Sequence, residues 1–400
     1  MVEYAYVGRD MQGTRVEGSL AAQDERTARA RLRERGVAVL ELTARGVARR
    51  PMAFGRRVKH DELTIFARQL ASMIDAGVSL TDALAIVSEE ARNPTFGATI
   101  EEVRSDIHQG ASLEQAIARH PRVFPRVFRQ LIKVAEAGSA LDDILDMLAT
   151  HLEREQDLRE QVRSAFVYPI AVGGVAALTV SVLLIFVVPV FKNVFDRLGL
   201  SLPITTRTLI ALGEAMRHYW YAFLIGVPAF FVALLRIRAS DWGRPVFDAA
   251  LLRMPLLGKL SRKAAVTRWV RACHILVGSG VPVATAFATS ADASDNVVIA
   301  NAIKHVCASL EKGRDIAAPL RASNQFPSMV VEMIRAGEES GNLDLMLQKC
   351  AAYCERDVTH ATKRLLVVLE PLMMVGIGGL IAFIALSMYL PYFQLIGSIK

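Results

Sequence analysis

Three stretches of this chain are apolar for long enough to cross a bilayer, and periodic polar segments lie around them. Ser164 to Phe191, SAFVYPIAVGGVAALTVSVLLIFVVPVF, runs for about 28 residues without a formal charge, where about 20 suffice to span the hydrocarbon core. It is apolar on every face, which a buried helix of a water-soluble protein rarely sustains at this length. Pro371 to Ile399 is likewise uncharged for about 29 residues. Tyr219 to Leu235 is shorter, about 17 residues between Arg217 and Arg236, near the lower limit for a span. Pro228 is placed to bend it.

The remaining segments are periodic. YAYVG and TRVEGSL flank the turn-prone Arg9 to Gly13 and predict a hairpin, Asp24 to Arg35 predicts a helix stopped by Gly36, and VAVLEL (37–42) predicts a third strand. Residues 44–59 hold only positive charges, with Pro51 and Gly55, and read as a flexible basic tether. From Asp61 the period becomes helical. Leu63, Phe66, Leu70 and Ile74 share one face, Gly77 breaks the run, and Leu80, Leu84 and Val87 begin the next. Stops at Pro94, Gly110, Pro121 and Gly138 predict about six short helices to Arg163, the last, from Leu141, continuing into the membrane.

The chain then repeats itself. FARQLASMIDAGVSLTDAL (66–84) aligns with WVRACHILVGSGVPVATAF (269–287) at an offset of 203, so that Arg68 meets Arg271, Gly77 meets Gly280 and Gly110 meets Gly313. After one deletion the offset is 202. Phe124-Pro125 meets Phe326-Pro327, Glu136 meets Glu338, Glu153-Arg154 meets Glu355-Arg356, and Pro169, Gly174 and Pro189 meet Pro371, Gly376 and Pro391. Each copy is thus a helical bundle followed by a membrane helix. Two copies that point the same way need one reversing helix between them, and the short apolar run supplies it.

The fold class that follows is mainly α: a polytopic membrane protein with two homologous cytosolic antiparallel helical bundles, three transmembrane helices and a small N-terminal α/β module. Residues 1–43 are the module, 44–60 the basic linker, 61–163 the first bundle, 164–191 the first span, and 192–217 an outer loop. Residues 218–235 are the second span, 236–264 a cytosolic connector, 265–369 the second bundle and 370–396 the third span. The basic flanks Arg154, Arg159 and Arg163, Arg236 and Arg238, and Lys363 and Arg364 put both bundles inside. No apolar leader opens the chain, since Glu3, Arg9 and Asp10 interrupt it, and the N-terminus is expected in the cytosol.

Composition sharpens this picture. Hydrophobic residues make up 52% and the net charge is +7. With spans present, anionic lipid headgroups account for the excess of positive charge better than nucleic acid does, and the tether's limited aromatic content argues against nucleic acid as partner. Cys273, Cys307, Cys350 and Cys354 all fall in the second bundle as reduced, buried small residues; Cys350, Cys354 and His360 fit no standard zinc spacing.

No catalytic pattern emerges. Gly258-Lys259 lacks the upstream glycine of a phosphate loop, and neither Gly-x-Ser-x-Gly nor His-Glu-x-x-His occurs. The spans hold no Asp, Glu, Lys or Arg, which ion-coupled carriers need; Glu370 stands at the cytosolic edge. Gly173/Ala177 and Gly378/Ala382 are small-residue pairs that predict span packing within or between protomers. Glu136 and Glu338, at matching corners, read equally as surface contacts or as structural caps.

The opening YAYVGRDMQGTRVEGSLAA, FARQLASMIDAGVSL, YPIAVGG…VVPVF, LGLSLPITTRTL and EPLMMVGIGGL…MYLPYFQL, in this order, resemble the type II secretion F-protein family, the inner-membrane platform proteins of type II secretion systems and type IV pili. The resemblance implies a non-enzymatic protein of the bacterial inner membrane, with the 192–217 loop and the C-terminus in the periplasm. It implies a role coupling a cytosolic assembly ATPase to insertion of pilin or pseudopilin subunits. It also implies partners among other inner-membrane assembly-platform proteins, a homo-oligomer, and no required cofactor. A membrane transporter of unknown substrate is the alternative. Some family members hold a divalent cation such as calcium near the last helix of the first bundle. Glu153 and Asp157, four residues apart on one face, are the residues it implies here, against a plain solvated face beside Arg154 and Arg159.

Overall fold

The helical period of residues 60–163 becomes six helices, and the side chains at its apolar positions become their core. The computed structural model describes residues 2–9, 15–22, 38–45, 58–138, 140–197, 203–240, 243–255, 257–313 and 315–398. In the first repeat the helices are α1 (His60–Asp75), α2 (Leu80–Glu90), α3 (Pro94–His108), α4 (Leu113–Ala118), α5 (Arg126–Gly138) and α6 (Leu141–Val182). Leu63, Phe66 and Leu70 of α1 are buried as the spacing requires. Phe66 sits at the centre of an aromatic cluster, with ring centroids 5.6 Å from Phe96, 6.0 Å from Phe124 and 6.4 Å from Phe128.

The local stops and starts have identifiable causes. Gly77 takes φ +82°. Its N–H donates to Ile74 and that of Val78 to Met73, both at 2.9 Å, which closes α1 in a left-handed turn. Pro94 is a start rather than a stop: it occupies the first turn of α3, where its missing N–H loses nothing, behind an Asn93 cap that accepts from the Thr95 N–H at 3.1 Å.

N-terminal to this repeat, β1 (Val2–Arg9), β2 (Arg15–Ala22) and β3 (Ala38–Arg45) form an antiparallel sheet in the order β2-β1-β3. Val2 lies opposite Ala22 and Arg9 opposite Arg15, and a register shift between Val7 and Gly8 marks the β1–β3 pairing. The third strand runs to Arg45, past Leu42 and into the segment read as tether. The helix expected over Asp24–Arg35 and most of the tether lie outside the described residues.

Helix α6 leaves the core after Leu152 and continues unbroken into the first apolar run. Its 42 residues span about 63 Å at 1.5 Å per residue. A π-helical turn, Leu183–Val187, leads into α7 (Val188–Arg197). The expected outer loop holds a helix, α8 (Ile204–His218). It folds back on the span: Leu209 and Ile210 are buried against Leu184, Val188 and Ile384, and Lys192 pairs with Glu214. Gly213 allows this closeness, since a Cβ there would lie 2.6 Å from the Leu184 carbonyl oxygen. The short apolar run is α9 (Trp220–Ala239), with Pro228 inside it, followed by α10 (Gly243–Arg253).

The second repeat holds α11 (Leu257–Gly278), α12 (Val283–Ser290), a 3-10 turn (Ala291–Ser294), α13 (Val297–Leu310), α14 (Ala317–Ala322), α15 (Ser328–Ser340) and α16 (Leu343–Ser398). Trp269 takes the place of Phe66, with its ring 5.3 Å from Phe287 and 5.0 Å from Phe326. Gly280 repeats the left-handed turn at φ +83°, with the N–H of Val281 bonded to Leu276. The two repeats are packed together: Ala272, Ile275, Leu276, Val281 and Ala286 belong to the first core. Beyond the cores α6 and α16 run side by side, with Leu158, Val162 and Phe166 against Ala361, Leu365 and Leu369.

Among the described residues, Leu141–Asn193 and Leu343–Leu390 are long and apolar enough to cross a membrane, and only 6% of the most apolar stretch of each is buried. Magnitude supports a lipid surround. Eight large side chains between Val167 and Val190 are exposed, and leaving each in water forgoes about 1.5–3 kcal/mol. That sum rivals the whole stability of a typical domain, about 5–15 kcal/mol.

Candidate functional site

The groups that the duplication places at equal positions meet in three dimensions. In the first repeat Arg68 of α1 reaches α6. Its Nε and Nη2 donate to the two carboxylate oxygens of Glu153, each at 2.6 Å, and Nη1 pairs with Asp146 at 2.5 Å. These bonds hold the Glu153 carboxyl below its ordinary value. In the second repeat Arg271 of α11 pairs with Glu355 of α16. Arg68 is about a third exposed, whereas Arg271 is 8% exposed. Burial, with Arg154 nearby, lowers the Arg271 guanidinium to about 10, so it stays charged at neutral pH.

A second matched pair settles the role of Glu136 and Glu338. Glu136 accepts from the backbone N–H groups of Leu113 and Glu114 at the start of α4. Glu338 accepts from the N–H of Ile316, at 2.9 and 3.0 Å, at the start of α14. Both cap orphan donors of a helix start, where a negative charge is also favoured by the helix dipole.

Where the two repeats meet, a cavity of about 360 Å³ is lined by His60, Arg126, His151, Glu155, Arg159 and Asp292, among others. Both histidines aim Nε2 at one oxygen of Glu155, at 3.7 Å from His60 and 3.9 Å from His151. Arg159 holds the other oxygen at 2.6 Å. Burial lowers His151 to about 4 and lowers His60 as well, against the pull of Glu155. Burial opposes ionisation of Glu155, but His151, Arg159 and His60 outweigh it and its carboxyl stays below the ordinary value. His151 is 6% exposed and its Nδ1 has no partner. Arg126 pairs with Asp292 across the junction at 3.1 Å. No sequence motif pointed to this cluster, in which His151, Glu155 and Arg159 follow one another four residues apart on α6 and His60 reaches them from α1.

The structure places Glu153 and Asp157 on α6, as expected. Glu153 is engaged by Arg68, and Asp157 lines a cleft shared with Arg154, Arg271 and Arg356. No group of three or more His, Cys, Asp or Glu among the described residues is arranged to hold a metal ion. All four cysteines are free and buried. His274, in the second repeat, bonds Asp344 at 3.0 Å.

Within the membrane stretch, Gly173 and Ala177 line an apolar groove of about 560 Å³ with Leu212 of α8 and Met373 and Ile377 of α16. A Cβ on Gly173 would meet nothing within 4 Å, and the same holds at Gly378. Among the described residues no backbone closely approaches Gly173 or Gly378, whereas the Leu184 carbonyl closely approaches Gly213.

Two like-directed helical repeats, each running into an apolar helix of membrane-spanning length, define a membrane-anchored protein whose organisation is a duplication. The profile of the type II secretion system protein F family matches residues 66–189 and 269–391, and that of the family's N-terminal domain matches residues 1–43. The chain belongs to this family. It is 36% identical, over the full length of both chains, to the type IV pilus assembly protein PilC of Thermus thermophilus. It is 32% identical to PilC of Myxococcus xanthus, covering 100% of this chain and 96% of that one. To the type II secretion system protein F of Aeromonas hydrophila it is 32% identical, covering 92% of this chain and 97% of that one.

Proposed function

We propose that this chain is the inner-membrane platform of a type IV pilus or type II secretion machine. In that role it couples a cytosolic assembly ATPase to insertion of pilin or pseudopilin subunits into a filament. The observation that carries the reading is the duplicated repeat-and-anchor unit, in a chain that relatives named as pilus assembly and secretion proteins match over 92% or more of its length. The two repeats share core residues, so a motor that moves one moves the other. The continuous helices α6 and α16 run from the cores into the apolar stretches and carry such a movement toward the bilayer.

In this arrangement the α/β module and both helical bundles are cytosolic, 164–191, 218–235 and 370–396 cross the membrane, and α8 and the C-terminus lie outside. The basic ends of the spans and the need for a reversing helix support it. The outward faces of the spans, unburied in a single chain, suit a homo-oligomer, neighbouring platform proteins and filament subunits. The role requires no enzyme activity and no cofactor. A calcium ion joining Glu153 and Asp157 has to displace Arg68. A calcium-dependent rise in melting temperature that vanishes in Glu153→Gln tests that site.

The platform reading is tested by deleting the gene and by copurification with the assembly ATPase. Loss of filaments or secretion, restored by the intact chain, is expected together with association. Normal filaments in the deletion strain with no association would remove it. Solute transport by the purified protein in liposomes would favour a transporter instead.

A further inference from the structure

Helix α10 follows the short apolar helix α9 almost at once, and its two faces differ. One face is tied to the second repeat. Arg244 pairs with Asp295 at 3.1 Å, and the buried Asp248 accepts from the Val297 N–H at 2.9 Å, at the start of α13. Val246 and Ala250 stand two residues either side of Asp248, which at 3.6 residues per turn puts both on the opposite side of the helix. Both are exposed, as are Met254 and Leu257 just beyond the helix end. Arg253 shares that side; it is exposed and, among the described residues, forms no ion pair. An apolar stripe with one cation at its edge is thus left uncovered.

Both ends of α10 are held close to the level where the membrane helices begin. At its start, a Cβ on Gly243 would overlap the Ile237 carbonyl, and the Arg238 guanidinium lies 5.6 Å from the centre of the Phe247 ring. Ile237 is two residues past Leu235, about 3 Å along a helix. At its end, a Cβ on Gly258 would overlap the Leu252 carbonyl, so Gly258 marks the level of the last turn. His274 bonds Asp344 at 3.0 Å and Lys263 bonds Asp357 at 2.7 Å, so α11 runs antiparallel to α16 and Gly258 falls level with residues 360–362. The duplication sets Leu366 opposite Ser164, where the first span begins, and Val367 and Val368 are already exposed apolar side chains. Residues 360–362 precede Leu366 by about 6–9 Å. The backbone of α10 thus lies about 3 Å from the hydrocarbon boundary at one end and about 6–9 Å at the other, and side chains reach about 5–6 Å from a helix axis. The headgroup layer is about 5–7 Å deep, so the outer stripe reaches it along the whole helix. Apolar side chains and a basic residue at that depth, on a helix whose other face is tied to protein, have the form of an interfacial helix.

We propose that the outer face of α10 lies in the headgroup layer of the cytosolic leaflet and seats the second repeat on the lipid surface. The proposal rests on the membrane arrangement given under the proposed function, but not on what the protein assembles. Arg244 and Asp248 then fix how far the second repeat stands from the bilayer.

The test uses the full chain in vesicles of phosphatidylcholine and phosphatidylglycerol, with a bimane fluorophore on one introduced cysteine at a time. The native thiols are all buried, which directs the label to the new one. Val246→Cys and Ala250→Cys report on α10. Ile225→Cys, exposed on α9, reports on the bilayer interior, and Leu345→Cys, exposed near the start of α16, on the aqueous side. Leu345 precedes Leu366 by 21 residues, about 31 Å along the helix. A lipid with a nitroxide on its headgroup is expected to quench the labels at 246 and 250 severalfold more than the label at 345. A lipid with a nitroxide deep in its acyl chain is expected to quench the label at 225 most. Quenching at 246 and 250 no stronger than at 345, with the label at 225 quenched as expected, would overturn the proposal and leave the membrane arrangement standing. Iodide then tells the two reasons apart: access to the labels puts the face in water, and protection puts it under protein. Escape of the label at 225 from the deep nitroxide would overturn the membrane arrangement itself, and the proposal with it.

Discussion

Arg68 and Arg271 stand at the same step of their repeats and pair with the same glutamate of the following long helix, yet the two pairs differ in kind. The first is a solvent-facing fork shared with Asp146 and Thr150; the second is sealed in, with Arg271 only 8% exposed. The cores differ in the same way. Phe66, Leu84, Phe96 and Phe128 of the first correspond to Trp269, Phe287, Ile299 and Val330 of the second. Bulk has moved from one side of the core to another. What the copies retain are the devices that set the backbone: the left-handed glycine after the first helix, the carboxylate cap on the fourth, and the arginine–glutamate tie. After duplication, packing drifts as long as volume is kept, whereas a turn conformation or an orphan N–H admits few substitutes.

The sharpest way to break this comparison is to cut both ties. Arg271→Ala strands Glu355 beside a core and is expected to cost about 3–5 kcal/mol, whereas Arg68→Ala, at a screened site, costs about 1 kcal/mol or less. Chemical denaturation of the full chain in detergent measures both, and equal losses would refute the distinction.

Acid comes next. His151 has its pKa depressed below the unfolded value of 6.5, so the unfolded chain binds its proton first. Its contribution is fully present above pH 6.5 and is lost as pH falls toward about 4, on the order of 3 kcal/mol at most. Its counterpart in the second repeat is Tyr353, which is exposed. His151→Phe should flatten the pH profile of the melting temperature between 4 and 6.5; an unchanged profile would place the acid sensitivity elsewhere.

Exchanging the core aromatics sharpens the comparison further. Phe66→Trp overpacks the first core and is expected to cost about 1–3 kcal/mol. Trp269→Phe opens space but removes a buried indole N–H that has no partner, a group whose burial itself costs about 1–3 kcal/mol. It should therefore be close to neutral. The smallest effect is expected at the caps. Glu136→Ala and Glu338→Ala should each cost about 1 kcal/mol, and by similar amounts.

The duplication, the long apolar runs and the glycine turns were legible in the sequence because each depends on local composition or on self-similarity. The Leu63, Phe66 and Leu70 face was legible for the same reason. The ties were not. Arg68 and Glu153 are 85 residues apart, and nothing local marks either as a partner. Helix α8 is hard to tell from a loop in the sequence because its polar residues interrupt a short apolar stripe, although Leu209, Ile210, Gly213 and Met216 are spaced for one face. Pro94 alone cannot be told as a stop or a start, because proline ends helices and opens them alike, and only the Asn93 cap distinguishes the two uses. The histidine–glutamate cluster sets His151 and Glu155 of α6 against His60 of α1, 95 residues before Glu155, and nothing local marks His60 as their partner.

The four native thiols have a practical consequence. Each is enclosed in the second core, and burial pushes Cys273 well above the usual thiol range and Cys307 up to about 11. Cys273 and Cys307 therefore hold little reactive thiolate at neutral pH, and burial shields Cys350 and Cys354 from reagent. A single cysteine introduced at an exposed position will outcompete them for a maleimide. Sidedness across the cell envelope can be charted on the wild-type background, one engineered position at a time.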